Sequence, residues 1–133
     1  MAKDEGALSQ DAVERLKAAL AKLGEAGVEA AAVISRDGRL LAADMPAGEE
    51  HKIFAPMYAA MLAAAEEATS ELRLGVPRHV VMEVGDKKLI VVSAGPLALV
   101  IALLEAKAQY ERAVADVDRA SYEIRTILAA PKA

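Results

Sequence analysis

The chain has 133 residues, a mass of 13.9 kDa, a formal net charge of -4 and no Cys, with 31 Ala against three Tyr, one Phe and no Trp. That length is one domain able to bury its own apolar core, and the missing Cys excludes disulfides, thiolate chemistry and Cys-based metal or cluster sites. The balance of 16 basic to 20 acidic residues argues against a general phosphate-backbone or nucleic-acid binder, and the scarcity of aromatics argues against base-stacking platforms and wide cofactor pockets.

The mean hydropathy of +0.24 comes largely from Ala. The longest uninterrupted apolar run, Pro96 to Leu104, is well short of the about 20 residues a membrane helix needs. Residues 1–8 show no periodicity and no apolar signal core. They are read as a tail, and the chain as a cytoplasmic protein without direct membrane insertion. Residues 9–129 are read as one domain and 130–133 as a second short tail.

Ser9 is a good N-cap and Asp11 places negative charge in a first turn. Val13, Leu16, Leu20 and Leu23 follow at helical spacing, so a helix is expected from Gln10 to Leu23, ending at Gly24. Val28 to Ser35 is short and apolar. Arg36-Asp37-Gly38-Arg39 has hairpin-turn chemistry, and Leu40 to Asp44 reads as the returning strand.

Met45-Pro46-Ala47-Gly48 breaks that strand. A long Ala-rich helix is expected from about Glu50 to Leu72, with Phe54, Met57, Met61, Ala64 or Ala65, Ala68 and Leu72 on one stripe. Pro56 inside it predicts a kink or a separate first turn. Three strands follow: His79 to Val84, Lys88 to Ala94 and Leu97 to Leu104. The first alternates, with Val80, Met82 and Val84 on one face and His79, Val81 and Glu83 on the other. The last is apolar on both faces, which marks a central strand covered from both sides. A final helix, Lys107 to Leu128, carries Tyr110, Val114, Val117, Ser121, Ile124 and Leu128 on one stripe. Hairpins with helices grouped between them give an α+β fold.

No phosphate-binding glycine loop and no nucleophile elbow is present. His51 and His79 are far apart. A metal site would need both together with carboxylates such as Glu83 or Asp44, and surface or strand-end histidines are the simpler reading. Ser35 and Ser93 have no neighbouring His in sequence to activate them and read as strand-end hydroxyls bonded to backbone. No catalytic residue, cofactor or metal is assigned.

Two features look incomplete in a monomer. A helix of about 23 residues spans roughly 34 Å, as long as a small domain is wide. Its apolar residues exceed one narrow stripe, so this face is either intrachain core or a subunit contact. The His79–Val84 strand, placed at a sheet edge, would offer unpaired backbone groups to a copy of itself. One two-fold contact would cover both. The candidate dimer interface is Met57, Met61, Ala64, Ala68, Val80, Val81, Met82, Glu83 and Val84.

These segments together resemble the Roadblock family of the dynein-light-chain-roadblock type, whose prokaryotic members include the mutual gliding protein B group. The likeness is carried by Gly27-Val-Glu-Ala-Ala-Ala-Val-Ile-Ser-Arg-Asp-Gly-Arg-Leu-Leu-Ala-Ala-Asp44, by the Ala-rich helix, and by His79 through Leu104. It spans about Gln10 to Leu128. The resemblance implies a profilin-like, five-stranded antiparallel sheet in the order 2-1-5-4-3, with the long helix on one face and the terminal helices on the other. It implies dimerisation through the third strand and the long helix, and a small Ras-like GTPase as partner of a non-enzymatic adaptor, scaffold or GTPase-activating module. Tyr58, Glu66 and Glu71, on the rim of the long helix, are then candidate partner contacts. The alternative is a small-ligand sensor of profilin-like architecture, which needs a cavity of about 300 Å³ or more beside the sheet.

Overall fold

The computed structural model describes residues 8–44 and 48–129, with side chains from residue 54 onward in the long helix. The expected tails lie outside these residues apart from Leu8, as does the Met45–Ala47 break; the side chain of His51 is likewise outside them.

The first helix, α1, spans Gln10–Ala21, and the Ser9 hydroxyl accepts a hydrogen bond from the Ala12 amide at 3.0 Å. The chain does not stop at Gly24. It tightens into a 3₁₀ turn over Lys22–Ala26 and reverses at Gly27, whose φ of 90° is the left-handed conformation glycine adopts without steric cost. Gly24 fits the sequence pattern of a helix end, but the terminator is three residues later.

The hairpin strands are β1, Val28–Ser35, and β2, Leu40–Asp44, both with the expected bounds. The long helix, α2, is one element over Gly48–Glu71 with Pro56 inside it. Then come β3, His79–Val84, β4, Lys87–Ser93, and β5, Ala98–Leu104, followed by α3, Tyr110–Ala129. The sheet is antiparallel in every pairing, with the order β2-β1-β5-β4-β3. The doubly apolar β5 is at its centre and is buried on both faces, as a strand flanked by two covered surfaces must be.

Two cores flank the sheet. On one face Leu16, Leu20, Leu23, Val117 and Ile124 from α1, the 3₁₀ turn and α3 pack on Val33, Ile90, Val92 and Val100. On the other, Ala55, Ala59 and Leu62 of α2 pack on Ala32, Ile34, Val91, Leu99 and Ile101. The stripe of α3 is turned a little from the expected one. Ala113, Ala120 and Ile127 are buried beside Val117, Ser121 and Ile124, whereas Tyr110 lies at the surface with the Lys88 ammonium 5.6 Å from its ring centre. Among the described residues no helix is long and apolar enough to cross a membrane.

Candidate interaction site

The inward residues of α2 are small. Ala55 and Ala59 let its backbone approach the sheet closely, and Leu62 fills the space between strands. This choice of face leaves the larger apolar side chains outside. Phe54 is 43% exposed and Met57 is 61% exposed. Ala64 and Ala68 share that outer surface, and Met61 is half-buried at its border. The expected stripe Phe54-Met57-Met61-Ala64-Ala68 therefore exists, and it faces mainly away from its own sheet.

The strand β3 lies at the sheet edge, bonded to β4 on one side only. Val80 and Met82 are half-buried on the α2 face, Val81 and Glu83 are exposed on the other, and Val84 is exposed at the strand end. Of the β3 candidates, Val80, Met82 and Val84 therefore share the sheet face with α2, and Val81 and Glu83 do not. His79 is turned the other way. Its Nε2 lies 2.8 Å from Asp118 Oδ1, tying the start of the edge strand to α3.

The three candidate partner contacts have different surroundings. Tyr58 is half-buried against the α2-side core. Glu71 is exposed at the last residue of α2. Glu66 is occupied within the chain: it accepts two hydrogen bonds from the Arg36 guanidinium, at 2.8 and 3.2 Å. Arg36 also donates to Ser93 Oγ at 2.8 Å and to the Gly95 carbonyl at 3.1 and 3.3 Å. One side chain so joins the β1–β2 turn, the β4–β5 turn and α2. Sequence alone offered Arg36 only as a turn residue; a bidentate partner 30 positions away leaves no local signal.

The serines act on turns. Ser35 Oγ accepts from the Arg39 amide at 2.9 Å and donates to Asp37 Oδ1. That hydrogen bond is the first cause holding the Asp37 carboxyl below its ordinary value of 3.8, with the Arg39 guanidinium adding to it. Ser93 Oγ accepts from the Gly95 amide at 3.2 Å.

The α2 helix covers only part of its sheet face. It is fixed at the end where β1 finishes and β5 begins, by Glu66 on Arg36 and by Pro56 against Gly38. At the opposite end Ala30, Met82, Val84, Leu89 and Leu103 line an open cavity of about 290 Å³, with Tyr58 and Lys87 at its rim. The Lys87 ammonium is held by Glu29 at 2.8 and 3.0 Å, which raises the lysine above its ordinary value. Among the described residues, no three His, Asp or Glu side chains come together as metal ligands would.

Comparison with solved structures finds this architecture repeatedly. The chain superposes on MglB in a tetrameric arrangement with a TM-score of 0.82 at 23% identity, covering 90% of this chain and 92% of that one. It superposes on the gliding protein MglB of Thermus thermophilus with a TM-score of 0.81 at 24% identity, covering 90% and 93%. Profilin II of Acanthamoeba castellanii matches at a TM-score of 0.55 and 25% identity, covering 74% and 86%. No curated protein sequence gives a significant match. The Roadblock/LC7 domain profile matches residues 16–103, which include nearly the whole sheet, half of α1 and all of α2. The chain belongs to the Roadblock/LC7 domain family.

Proposed function

We propose that the chain is a homodimeric, non-enzymatic regulator of a small Ras-like GTPase, acting as a scaffold or GTPase-activating partner. The observation that carries this reading is the uncovered apolar outer face of α2, with Phe54 and Met57 exposed, beside the unpaired edge of β3. A monomer leaves both to water; a two-fold contact covers both. The MglB likeness supports it, since one of those proteins is described in a tetrameric arrangement. The GTPase half of the proposal comes from the family, whose members bind such proteins. Exposed Glu71, together with Tyr58 where its ring reaches the surface, is offered for that contact; Glu66 contributes by holding α2 in place.

The test has two parts. Light scattering at micromolar concentration should give about twice 13.9 kDa. A pull-down with purified small GTPases, loaded with GTP or GDP, should show capture that depends on the nucleotide. A stable monomer rejects the first half, and no capture in either state rejects the second.

A ligand-sensor reading draws on two cavities, one of about 520 Å³ lined by Arg78, Ser93, Asp118, Tyr122 and Arg125, in which Asp118 and Ser93 already serve His79 and Arg36, and one of about 290 Å³ on the α2 face. The walls of the latter offer little to orient a polar ligand. Most of the lining is aliphatic, and Lys87 already serves Glu29. Ligand pockets combine apolar walls of about 300–1,000 Å³ with a few free, convergent polar groups.

A further inference from the structure

We propose that the cavity on the α2 face is the seat for the C-terminal end of α2 from a second copy, whose Leu72 and Leu74 fill it. The inference rests on the dimer reading and specifies what each protomer inserts into the other.

The 24 residues of α2 extend about 36 Å, whereas five strands span only about 19 Å between the outermost axes. The helix is anchored near the β1–β2 turn by Pro56 and near the β4–β5 turn by Glu66, so Glu67 to Glu71 carry it on towards the β3 edge. Leu72 and Leu74 follow, 69% and 73% exposed. They are held against the helix end, because the Leu72 amide donates to Ala68 O at 3.2 Å and the Leu74 amide to Thr69 O at 2.9 Å.

Two β3 edges paired antiparallel are related by a two-fold axis perpendicular to the sheet, so both α2 helices lie on one face. The pairing sets the start of one β3, where α2 and the Leu72–Leu74 segment arrive, beside the end of the other. That end is Met82 and Val84, the open side of the cavity. Each copy carries both the projecting leucines and the apolar seat, which makes the contact self-complementary.

Arg73 lies within the projecting segment and Arg78 follows it, and Glu83 and Asp86 lie at the receiving end, all exposed. A pairing centred on Met82, which sets each Met82 opposite its own copy, puts Val80 opposite Val84 on the α2 face and Arg78 opposite Asp86 of the other copy. Opposite charges then meet on both sides of the axis.

The absence of Cys in the chain makes a clean test possible. Full-length Leu74→Cys and Val84→Cys chains, distinguishable by a tag, are mixed and treated with a short bismaleimide. A covalent heterodimer should form in the mixture and in neither sample alone. Val81→Cys, one residue from the centre of the strand pair, serves as a control by linking to itself. The double variant Leu72→Ser, Leu74→Ser, altering exposed positions only, should raise the dimer Kd roughly 100-fold. A dimer with the Val81 link, but without the Leu74–Val84 link or with an unchanged Kd in the serine variant, overturns this inference and leaves the dimer standing. A monomeric unmodified chain overturns both.

Discussion

Arg36 and Glu66 hold each other by two hydrogen bonds, Nη1 to Oε1 at 2.8 Å and Nη2 to Oε2 at 3.2 Å, with side chains 27% and 23% exposed. The geometry is the forked guanidinium–carboxylate pair, which couples charge to orientation. Its place matters more than its energy. It ties the second half of α2 to two turns of the sheet, and so sets where the outer face of the helix points. Glu66→Ala should leave Arg36 partly buried without its charge partner and cost about 1–3 kcal/mol in urea unfolding. Arg36→Lys should lose most of the same stability, since a point charge cannot make the fork. Neither variant should change the fold, as followed by far-UV circular dichroism.

Gly38 has a φ of 92°, and a Cβ built on it would lie 2.9 Å from Pro56 Cα. Two costs therefore coincide in Gly38→Ala: a left-handed backbone for an L side chain, about 1–2 kcal/mol, and a clash with helix backbone that has no flexible tip to move aside. We expect a loss of about 2–4 kcal/mol in total. Gly24→Ala is the control, because a Cβ there meets nothing within 4 Å; it should be neutral or slightly stabilising. Equal losses in the two variants, measured by thermal or urea unfolding, would remove the Pro56 contact from the explanation. The same contact gives Pro56 a place in the tertiary structure, packed over the hairpin turn within an unbroken α2.

The strands were readable because each is written in one physical code. Alternation marks β3 as half-covered, unbroken apolarity marks β5 as central, and Asp37-Gly38 marks the reversal between β1 and β2. The orientation of α2 was not readable in the same way. Apolar residues surround much of the helix between Phe54 and Ala68, so periodicity alone does not say which side meets the sheet. Packing decides it, and it favours the small side: Ala55 and Ala59 go in, Met57 stays out. The cavity beside Met82 and Leu89 was hidden for the same reason, since it depends on how far α2 reaches across the sheet. Arg36 is a third case, in which a short-range turn residue acquires its role from partners at Glu66 and Gly95.

Asp37 gives a prediction about protons. Its carboxyl is held below the ordinary 3.8, first by the Ser35 hydroxyl. A depressed native value means that the turn gains stability above the unfolded-state pKa and loses it as pH falls through the native one. Ser35→Ala should move the Asp37 titration up towards its ordinary value, read from the side-chain carbonyl carbon by NMR, and should flatten the acid limb of the stability curve. An unmoved Asp37 titration would assign the depression to Arg39 instead.

Arg73 follows the last turn of α2 with a φ of 61°, a conformation that non-glycine residues adopt at a cost. Its amide donates to Ser70 O at 2.9 Å, as the Leu74 amide does to Thr69 O, so the turn closes the helix as a glycine would. Arg73→Gly should therefore stabilise the monomer by about 0.5–1 kcal/mol through relief of strain, less the added freedom of the unfolded chain. A decrease in stability would show that the arginine side chain contributes more than its backbone costs.

Met57 and Leu62 separate folding from assembly, because the two residues occupy one helix on opposite sides. Leu62 is fully buried against the sheet and Met57 is 61% exposed. Leu62→Ala should cost about 2–4 kcal/mol of unfolding free energy by leaving a cavity among Ile34, Leu99 and Val91. Met57→Lys should change monomer stability by less than about 0.5 kcal/mol, as surface substitutions do. In a dimer that pairs the outer faces of α2, the same lysine would bring two like charges towards the two-fold axis and remove apolar cover, so the mass from light scattering should fall towards 13.9 kDa. A Met57→Lys chain that stays dimeric would move the contact off this face of α2 and on to the β3 edge alone. A Met57→Lys chain that unfolds would instead assign Met57 to the core, against its exposure.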